Sequence, residues 1–374
     1  MNLKCLVEMS NRYGSDEEFV LAGGGNTSYK ENGILYVKGS GVQLSDIKAE
    51  QFVVMDIGKL LNMVNCEYPD SMNDAEKDAK ALADMMAARL PGEESKRPSV
   101  EASLHAIFPY KYVLHLHPAL INGLTCGNDG KVVCEDLFGD EAVWIDLSKP
   151  GLILSQVCSK AFDAYTEKNG KYPQTVILQN HGIFIAADTV DEIDRLMDNA
   201  VKAIRKCVNK TPDFKDIAFK YDMSSMQTMK DTLKAVYSEN GNDSAVVLFY
   251  TNNIVDEFVS DEESFSPLSK PFTPDHIVYC KDEPLFIEPD VDFTVEVKSY
   301  YDRKGYKPNI IAVRGVGFFA PGIDMKKATQ AKMLFLDAIK IAVYTESFGG
   351  ANPLDEEYTD FILNWEAEAY RAKA

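Results

Sequence analysis

Disulfide spacing and long apolar runs are both missing from this sequence, and each absence excludes a class of protein. The seven cysteines are scattered without CxxC spacing, which is typical of reduced, mostly buried thiols and not of a disulfide framework. No stretch reaches membrane-spanning length, and the start of the chain has no apolar core of a signal peptide. The sequence therefore predicts a cytoplasmic protein that does not span a membrane.

An excess of positive charge is missing as well. The chain has 39 Lys and Arg against 58 Asp and Glu, which gives a formal net charge of -19. Non-specific binding to nucleic acid depends on clustered basic residues, so we expect no nucleic-acid partner. A small anionic substrate stays compatible with this charge, because a phosphate pocket is local and is built largely from backbone N–H groups.

The length and composition predict a globular chain with two domains. It has 374 residues, 45% of them hydrophobic and 26% charged, which is more chain than one ordinary core holds. A helix with an apolar stripe from Val190 to about Cys207 ends the first run of alternating strands and helices. We therefore predict a first α/β domain over residues 1–212 and a second over 213–374.

Histidine is scarce, with five in the chain, yet two of them close one predicted strand. The run from Tyr112 to His117 is apolar, and side chains two apart on a strand point the same way about 7 Å apart. His115 and His117 could therefore share a divalent metal, with Pro118 ending the strand. A pair of core histidines is the alternative interpretation. A third histidine, His181, lies in a tight corner between two further predicted strands and favours the metal site.

Two loops of small residues offer N–H and hydroxyl donors. The first runs from Gly23 to Ser28 and the second is Lys38-Gly39-Ser40-Gly41. A dinucleotide-binding motif does not fit, because the third glycine is missing and a strand follows instead of a long helix. Plain turns and an anion-binding site both remain open at this point.

A predicted helix from Ser99 to Phe108 carries an acid in its first turn. Ser99 is a good N-cap, and a carboxylate such as Glu101 is favoured there by the helix dipole. Simple dipole complementarity is the alternative to a catalytic role. His105, one turn later on the same face, is interpreted as structural.

Taken together, these motifs resemble the class II aldolase/adducin family. The five segments that carry the resemblance occur in the family's order: Gly24-Gly25-Asn26-Thr27-Ser28, Lys38-Gly39-Ser40-Gly41, Ser99-Val100-Glu101, His115-Leu116-His117-Pro118 and Asn180-His181-Gly182. The resemblance implies an α/β (α+β) fold with a central, mainly antiparallel sheet between helices. It also implies Zn²⁺ or another divalent metal on His115, His117 and His181, with Glu101 as catalytic acid/base. The residues that it assigns to the substrate phosphate are Gly25, Asn26, Ser40, Gly41 and Ser99. Family members often have a second serine where this chain has Val100.

The implied activity is reversible cleavage of a ketose 1-phosphate to dihydroxyacetone phosphate and an aldehyde. L-rhamnulose 1-phosphate is the first candidate substrate and L-fuculose 1-phosphate the second. A pentulose-phosphate 4-epimerase, a sugar-acid-phosphate decarboxylase and a non-catalytic adducin-like scaffold are the alternatives. The family also implies a homo-oligomer.

The second half carries an internal similarity to the first. A shift of 135 residues places Gly170, Pro173 and Gly182 on glycine, proline and glycine, but places His181 on Val316. We interpret residues 213–374 as a degenerate aldolase-like copy without metal ligands, in which the polar segment 252–274 forms an exposed excursion. This half also resembles proteins in which such an aldolase part is fused to a short-chain dehydrogenase, a part that has no counterpart here.

Overall fold

The chain divides into two compact units. The computed structural model describes residues 3–69, 71–217, 223–238, 245–366 and 370. Within these, unit 1 comprises residues 3–125 and 129–207, and unit 2 comprises 126–128 and the described residues after 207. In this described part of the chain, no helix is both long enough and apolar enough to cross a membrane.

Unit 1 alternates strands and helices. Its strands are β1 (Asn26–Glu31), β2 (Ile34–Lys38), β3 (Phe52–Asp56), β4 (Tyr112–Leu116), β5 (Val143–Ile145), β6 (Thr175–Leu178) and β7 (Gly182–Ala187). Its helices are α1 (Lys4–Gly14), α2 (Ile57–Val64), α3 (Asp74–Ala87), α4 (Ala102–Ile107), α5 (Ala119–Thr125), α6 (Gly130–Phe138), α7 (Leu152–Asn169) and α8 (Val190–Arg205), with 3-10 turns at Leu44–Asp46, Ala49–Gln51 and Gly139–Glu141.

The strands of unit 1 form one seven-stranded sheet in the order β3-β2-β1-β4-β7-β6-β5. Every neighbouring pair is antiparallel except β5 and β6. Helices α2, α4 and α7 pack on one another, while α1 and α5 pack on α8. Val113 and Phe184 belong to a core that includes residues of α7, whereas α8 also contacts β4 and β7. The prediction of a mainly antiparallel sheet between helices is confirmed.

The first small-residue loop is shorter than the sequence indicates. Asn26, Thr27 and Ser28 are not loop residues, because β1 begins at Asn26 and pairs with both β2 and β4. All three are buried, so only the glycines before them belong to the loop. This pairing places Asn26 directly opposite His115 in the register of β1 and β4.

Unit 2 contains a second, smaller sheet. Its strands are β8 (Val246–Tyr250), β9 (Leu285–Ile287), β10 (Ile311–Val313) and β11 (Gly317–Gly322). Its helices are α9 (Met223–Tyr237), α10 (Asn253–Phe258), α11 (Glu262–Phe265), α12 (Pro274–Cys280), α13 (Phe293–Lys304), α14 (Met325–Thr345) and α15 (Glu356–Asn364), with 3-10 turns at Ser266–Leu268 and Glu346–Phe348. The strand order is β8-β11-β10-β9, and β9 and β10 are the parallel pair.

The second sheet has the same topology as the strands β4-β7-β6-β5 of the first. In each, two antiparallel pairs are followed by one parallel pair at the edge. Strands β7 and β11 begin at Gly182 and Gly317 and have equal lengths, and β4 pairs His115 with Phe184 where β8 pairs Phe249 with Phe319.

The expectation of an exposed excursion over 252–274 is wrong. Helices α10 and α11 lie in this segment, and it buries apolar side chains including Val255, Phe265 and Phe272. Its polar residues cap helices: the side chains of Asn252 and Asp261 accept hydrogen bonds from backbone N–H groups of α10 and α11.

Candidate metal centre

Three histidine rings of unit 1 converge at the end of β4. The Nε2 atom of His115 lies 2.9 Å from Nε2 of His117 and 3.3 Å from Nε2 of His181. Each residue offers one ring nitrogen, and these three nitrogens all lie within 4.8 Å of one another. For a zinc–nitrogen distance of about 2.1 Å, tetrahedral ligands are separated by roughly 3.4 Å. The cluster therefore has the spacing that three ligands of one divalent ion need.

The hydrogen bonds of His115 determine which nitrogen it presents. Its Nδ1 lies 3.0 Å from the carbonyl oxygen of Ile183, which can only accept, so Nδ1 carries the proton. Nε2 is then the nitrogen with the lone pair, and it faces the other two rings, as in metal-binding histidines held by a carbonyl. Stacking on Phe184, with ring centroids 3.9 Å apart, further fixes the ring.

The turn between β6 and β7 positions His181 next to the other two histidines. Asn180 has a left-handed φ of 52°, and its N–H donates to the carbonyl of Thr125. Gly182 follows, where a Cβ atom would lie 2.3 Å from the carbonyl oxygen of Leu116 and 2.8 Å from Cδ2 of His117. The absence of a side chain at Gly182 therefore allows β7 to approach the end of β4, which brings His181 to the other rings.

The carboxylate of Glu101 lies against the histidines. Its Oε2 is 3.3 Å from Nε2 of His115, and its Oε1 is 3.5 Å from Nε2 of His181. The helix begins later than Ser99 capping predicts, so Glu101 occupies the N-cap position of α4 and is 4% exposed. In the part of the chain that the structure describes, Oε1 has no hydrogen-bond partner, which leaves one buried oxygen available to a ligand.

A chain of hydrogen bonds orients Glu101 from behind. The side-chain N–H of Asn26 donates to Oε2 of Glu101 at 2.6 Å. The amide oxygen of Asn26 accepts a hydrogen bond from Nε2–H of His105. Nδ1 of His105 then accepts from the hydroxyl of Ser28 at 2.7 Å. Burial lowers the pKa of His105 well below its usual range, and nearby Lys30 acts in the same direction. His105 is thus a neutral residue that holds Asn26 against the acid.

The two loops that contain Ser40 and Ser99 lie side by side. The N–H of Ser40 donates to the carbonyl of Arg97 at 2.8 Å, and the N–H of Ser99 donates to the carbonyl of Lys38 at 2.9 Å. These two N–H groups are therefore used within the protein. Among the described residues, neither the Ser40 hydroxyl nor the Gly41 N–H has a hydrogen-bond partner, whereas the Ser99 hydroxyl accepts from the Glu101 N–H.

The glycine loop is held by a buried lysine that the sequence did not single out. Nζ of Lys38 donates to the carbonyl oxygens of Gly23 and Gly25, at 3.0 and 2.8 Å. Gly25 has a φ of 61°, and a Cβ there would lie 2.8 Å from the carbonyl of His115. Lys38 therefore sets the position of the loop that lies against the end of β4. A lysine next to a glycine resembles any solvated basic residue in sequence, so no local signal marks this contact.

Comparison with known proteins identifies the family. The model of the "Class II Aldolase and Adducin N-terminal domain" matches residues 5–207, more than half of the chain, and the protein belongs to this family. Over both units the chain is 25% identical to the "Uncharacterized oxidoreductase YuxG" of Bacillus subtilis (strain 168), covering 98% of this chain. It spans 57% of the length of that relative.

Solved structures that resemble this one match over about half of the chain. The N-terminal class II aldolase domain of a conserved protein from Thermoplasma acidophilum is 26% identical, covers 55% of this chain and 93% of its own, and has a TM-score of 0.46. The L-fuculose-1-phosphate aldolase of Thermus thermophilus is 14% identical, covers 55% and 94%, and has a TM-score of 0.36.

Proposed function

We propose that the protein is a metal-dependent sugar-phosphate aldolase that cleaves a ketose 1-phosphate reversibly to dihydroxyacetone phosphate and an aldehyde. One observation carries the proposal: the carboxylate of Glu101 lies within 3.5 Å of ring nitrogens of His115 and His181. A proton-transferring acid and a set of metal donors thus share one buried site. The metal that we propose for the three imidazoles is Zn²⁺ or another divalent ion.

The residues divide the chemistry between them. When bound, a divalent ion would supply Lewis-acid polarisation of the substrate carbonyl. Glu101 exchanges a proton with the adjacent substrate carbon. Its buried Oε1, which has no hydrogen-bond partner among the described residues, is available for this transfer. Asn26 holds the other oxygen, which restricts the carboxylate to one orientation.

The phosphate end of the substrate is proposed to lie between the two serine loops. The hydroxyls of Ser40 and Ser99 and the N–H of Gly41 are the donors that support this, because the N–H groups of both serines are engaged elsewhere. Gly25 and Asn26 are the further residues that we propose for the phosphate, and Lys38 fixes the loop that ends at Gly25. Holding the inert phosphate orients the reacting carbons over Glu101.

The direct test is release of dihydroxyacetone phosphate from L-rhamnulose 1-phosphate and L-fuculose 1-phosphate. We expect release by the wild type, with L-rhamnulose 1-phosphate preferred, and none by His117→Ala. Absence of release from both sugars, in protein with bound metal, would contradict the aldolase and favour an epimerase or decarboxylase using the same residues. The order of activity on the two sugars tests the substrate separately.

Metal content distinguishes an enzyme from an adducin-like scaffold. We expect about one divalent ion per chain in the wild type and a large loss in His115→Ala, because the variant removes one of three ligands. If the wild-type protein neither contains metal nor gains thermal stability with Zn²⁺, the enzyme proposal is contradicted. The family also leads us to propose a homo-oligomer, which light scattering would measure.

A further inference from the structure

A cavity of unit 1 is lined by a buried lysine, Lys30, that the proposed reaction does not use. Its volume is about 720 Å³, and its lining includes Lys30, Ile57, Phe108 and Ser159. This is the size range of pockets that hold small organic ligands. Lys30 lies four residues along β1 from Asn26 on the same face, roughly 13 Å away at the strand's rise per residue. The cavity is therefore separate from the histidine cluster.

Among the described residues, Lys30 has fewer hydrogen-bond acceptors than an ammonium group needs. The residue is 8% exposed, and among the described residues Nζ has one hydrogen-bond acceptor, the carbonyl oxygen of Tyr110 at 3.1 Å. No carboxylate oxygen lies within 4.0 Å of it among the described residues. An ammonium has three donors, so a buried lysine with one acceptor favours the neutral amine.

The surroundings of Lys30 shift its pKa in opposite directions. Burial lowers the pKa of Lys30 to about 7, and the carboxylate of Asp188, at the turn after β7, opposes that effect. His105 on α4 lies close enough that Lys30 depresses its pKa in turn. The remaining charged groups that line the cavity are Glu31 on β1, Lys111 before β4 and Asp163 on α7. Burial is the largest of these effects, so a substantial neutral fraction exists at neutral pH.

We propose that Lys30 is a nucleophilic amine and that the cavity binds a small aldehyde, which Lys30 captures as a Schiff base. The amine lone pair forms the C–N bond while the carbonyl π electrons move to oxygen, which takes a proton from the nitrogen. The hydroxyl then leaves as water with the second proton of the nitrogen while the nitrogen lone pair forms the C=N bond, so one amine and one aldehyde become one imine and one water. Desolvation of the amine, which here results from the burial of Lys30, is what activates a lysine for this reaction. The polar residues Asn32, Asn65 and Ser159 also line the cavity and offer hydrogen bonds to a polar group of the aldehyde.

The proposal is tested by trapping the imine in the full-length wild type. Pyridoxal 5′-phosphate, or acetaldehyde as the smaller probe, is added at limiting concentration, reduced with borohydride, and the modified lysines are mapped by mass spectrometry. At pH 7 we expect Lys30 to be labelled at least about tenfold more than Lys111, which lines the same cavity, because Lys30 is buried and desolvated whereas Lys111 is exposed. Labelling of Lys30 should rise with a midpoint near pH 7.

Matched variants separate the site from general lysine reactivity. Lys30→Met should abolish the principal label and leave that of Lys111, whereas Lys111→Met should leave the label of Lys30. Metal content should be unchanged in both, since neither residue is one of the three candidate ligands His115, His117 and His181. Equal labelling of Lys30 and Lys111 in the wild type, or no label on Lys30 with either aldehyde, would overturn the proposal. The pattern of labelled lysines in the wild type tests the proposal even if Lys30→Met does not fold.

Discussion

At the scale of single residues, the acid at the candidate metal centre is oriented by side chains that are not themselves candidate metal ligands. His105 is the clearest case, because its two ring nitrogens connect Ser28 to Asn26 and thereby to Glu101. The sequence places His105 one turn after Glu101 and indicates a structural residue. Its contact with a strand that lies far away in the chain could not be read from that spacing.

His105→Leu is expected to reduce turnover more than metal binding. Without His105, the buried oxygen of Asn26 and the hydroxyl of Ser28 lose a partner, and the free energy of unfolding should fall by about 1–3 kcal/mol. Turnover should fall about 10–100-fold, the usual loss for an orienting hydrogen bond around a site. Steady-state rates and zinc stoichiometry would measure this. Partial recovery is expected in His105→Gln, and a variant with full kcat would contradict the orienting role.

Lys30 gives the stability of the protein a defined pH dependence. Its pKa is about 7 when folded and near 10.5 when unfolded, so the unfolded chain binds more protons between these values. Stability contributed by this residue therefore rises with pH from about 7 toward 10.5, and below pH 7 the charged amine is buried at its full cost. Lys30→Met should be more stable than the wild type at pH 6, by a margin that shrinks at pH 9. Urea unfolding at both pH values checks this. A margin that does not change with pH would contradict the buried neutral amine.

At the scale of elements, most regular segments follow from local patterns, and the exceptions have physical causes. Apolar periodicity predicts α8, and the apolar run before His117 predicts β4. The strand β1 is different, since glycines and Asn-Thr-Ser are typical of turns. Pairing with β2 and β4 on both sides overrides that preference, and such pairing has no local signature. Likewise, the capping residues Asn252 and Asp261 made a segment of short buried helices resemble an exposed loop.

The close approach of β4 and β7 makes Gly182 a sensitive position. A methyl group there meets the Leu116 carbonyl and the ring of His117, so Gly182→Ala should displace the end of β4. We expect a loss of about 1–3 kcal/mol from overpacking together with weakened zinc binding. Gly317→Ala is the matched control, because Gly317 begins β11 as Gly182 begins β7 and would meet the Tyr250 carbonyl. The control should lose stability and keep its metal affinity. Equal losses of affinity in the two variants would refute the local explanation.

At the scale of the whole molecule, the two sheets support the proposal that unit 2 is a degenerate copy of part of unit 1. Besides strand order and register, the left-handed Asn180 corresponds to the left-handed Gly315, and Thr189 and Asp324 cap the helices that follow. The positions of His115 and His181 are taken by Phe249 and Val316. From the sequence alone, only the matching glycines and prolines could be recognised. The shared strand order could be seen only in the structure.

Two tryptophans allow the proposed domain division to be tested, since Trp144 lies in unit 1 and Trp365 in unit 2. Zn²⁺ at 100 times its Kd should stabilise the unit that binds it by about 2.7 kcal/mol. In Trp365→Phe, the fluorescence of Trp144 should report that shift on unfolding. In Trp144→Phe, the fluorescence of Trp365 should report a much smaller one. Identical shifts would show one cooperative unit and contradict two domains, and His115→Ala should remove both shifts.

The register of β1 on β4 also has a consequence for the order of folding events. Asn26 stands opposite His115 although α2, α3 and α4 all lie between them in the chain, so this pairing closes a long loop. Pairings of high sequence separation form slowly, because the entropy of closure is lost before contacts compensate for it. Helices and the β2–β3 pair can form earlier, without assembling the acid or its support. We therefore expect the nascent chain to gain secondary structure well before it becomes competent to hold an ion, which makes the centre a late-maturing part of the protein.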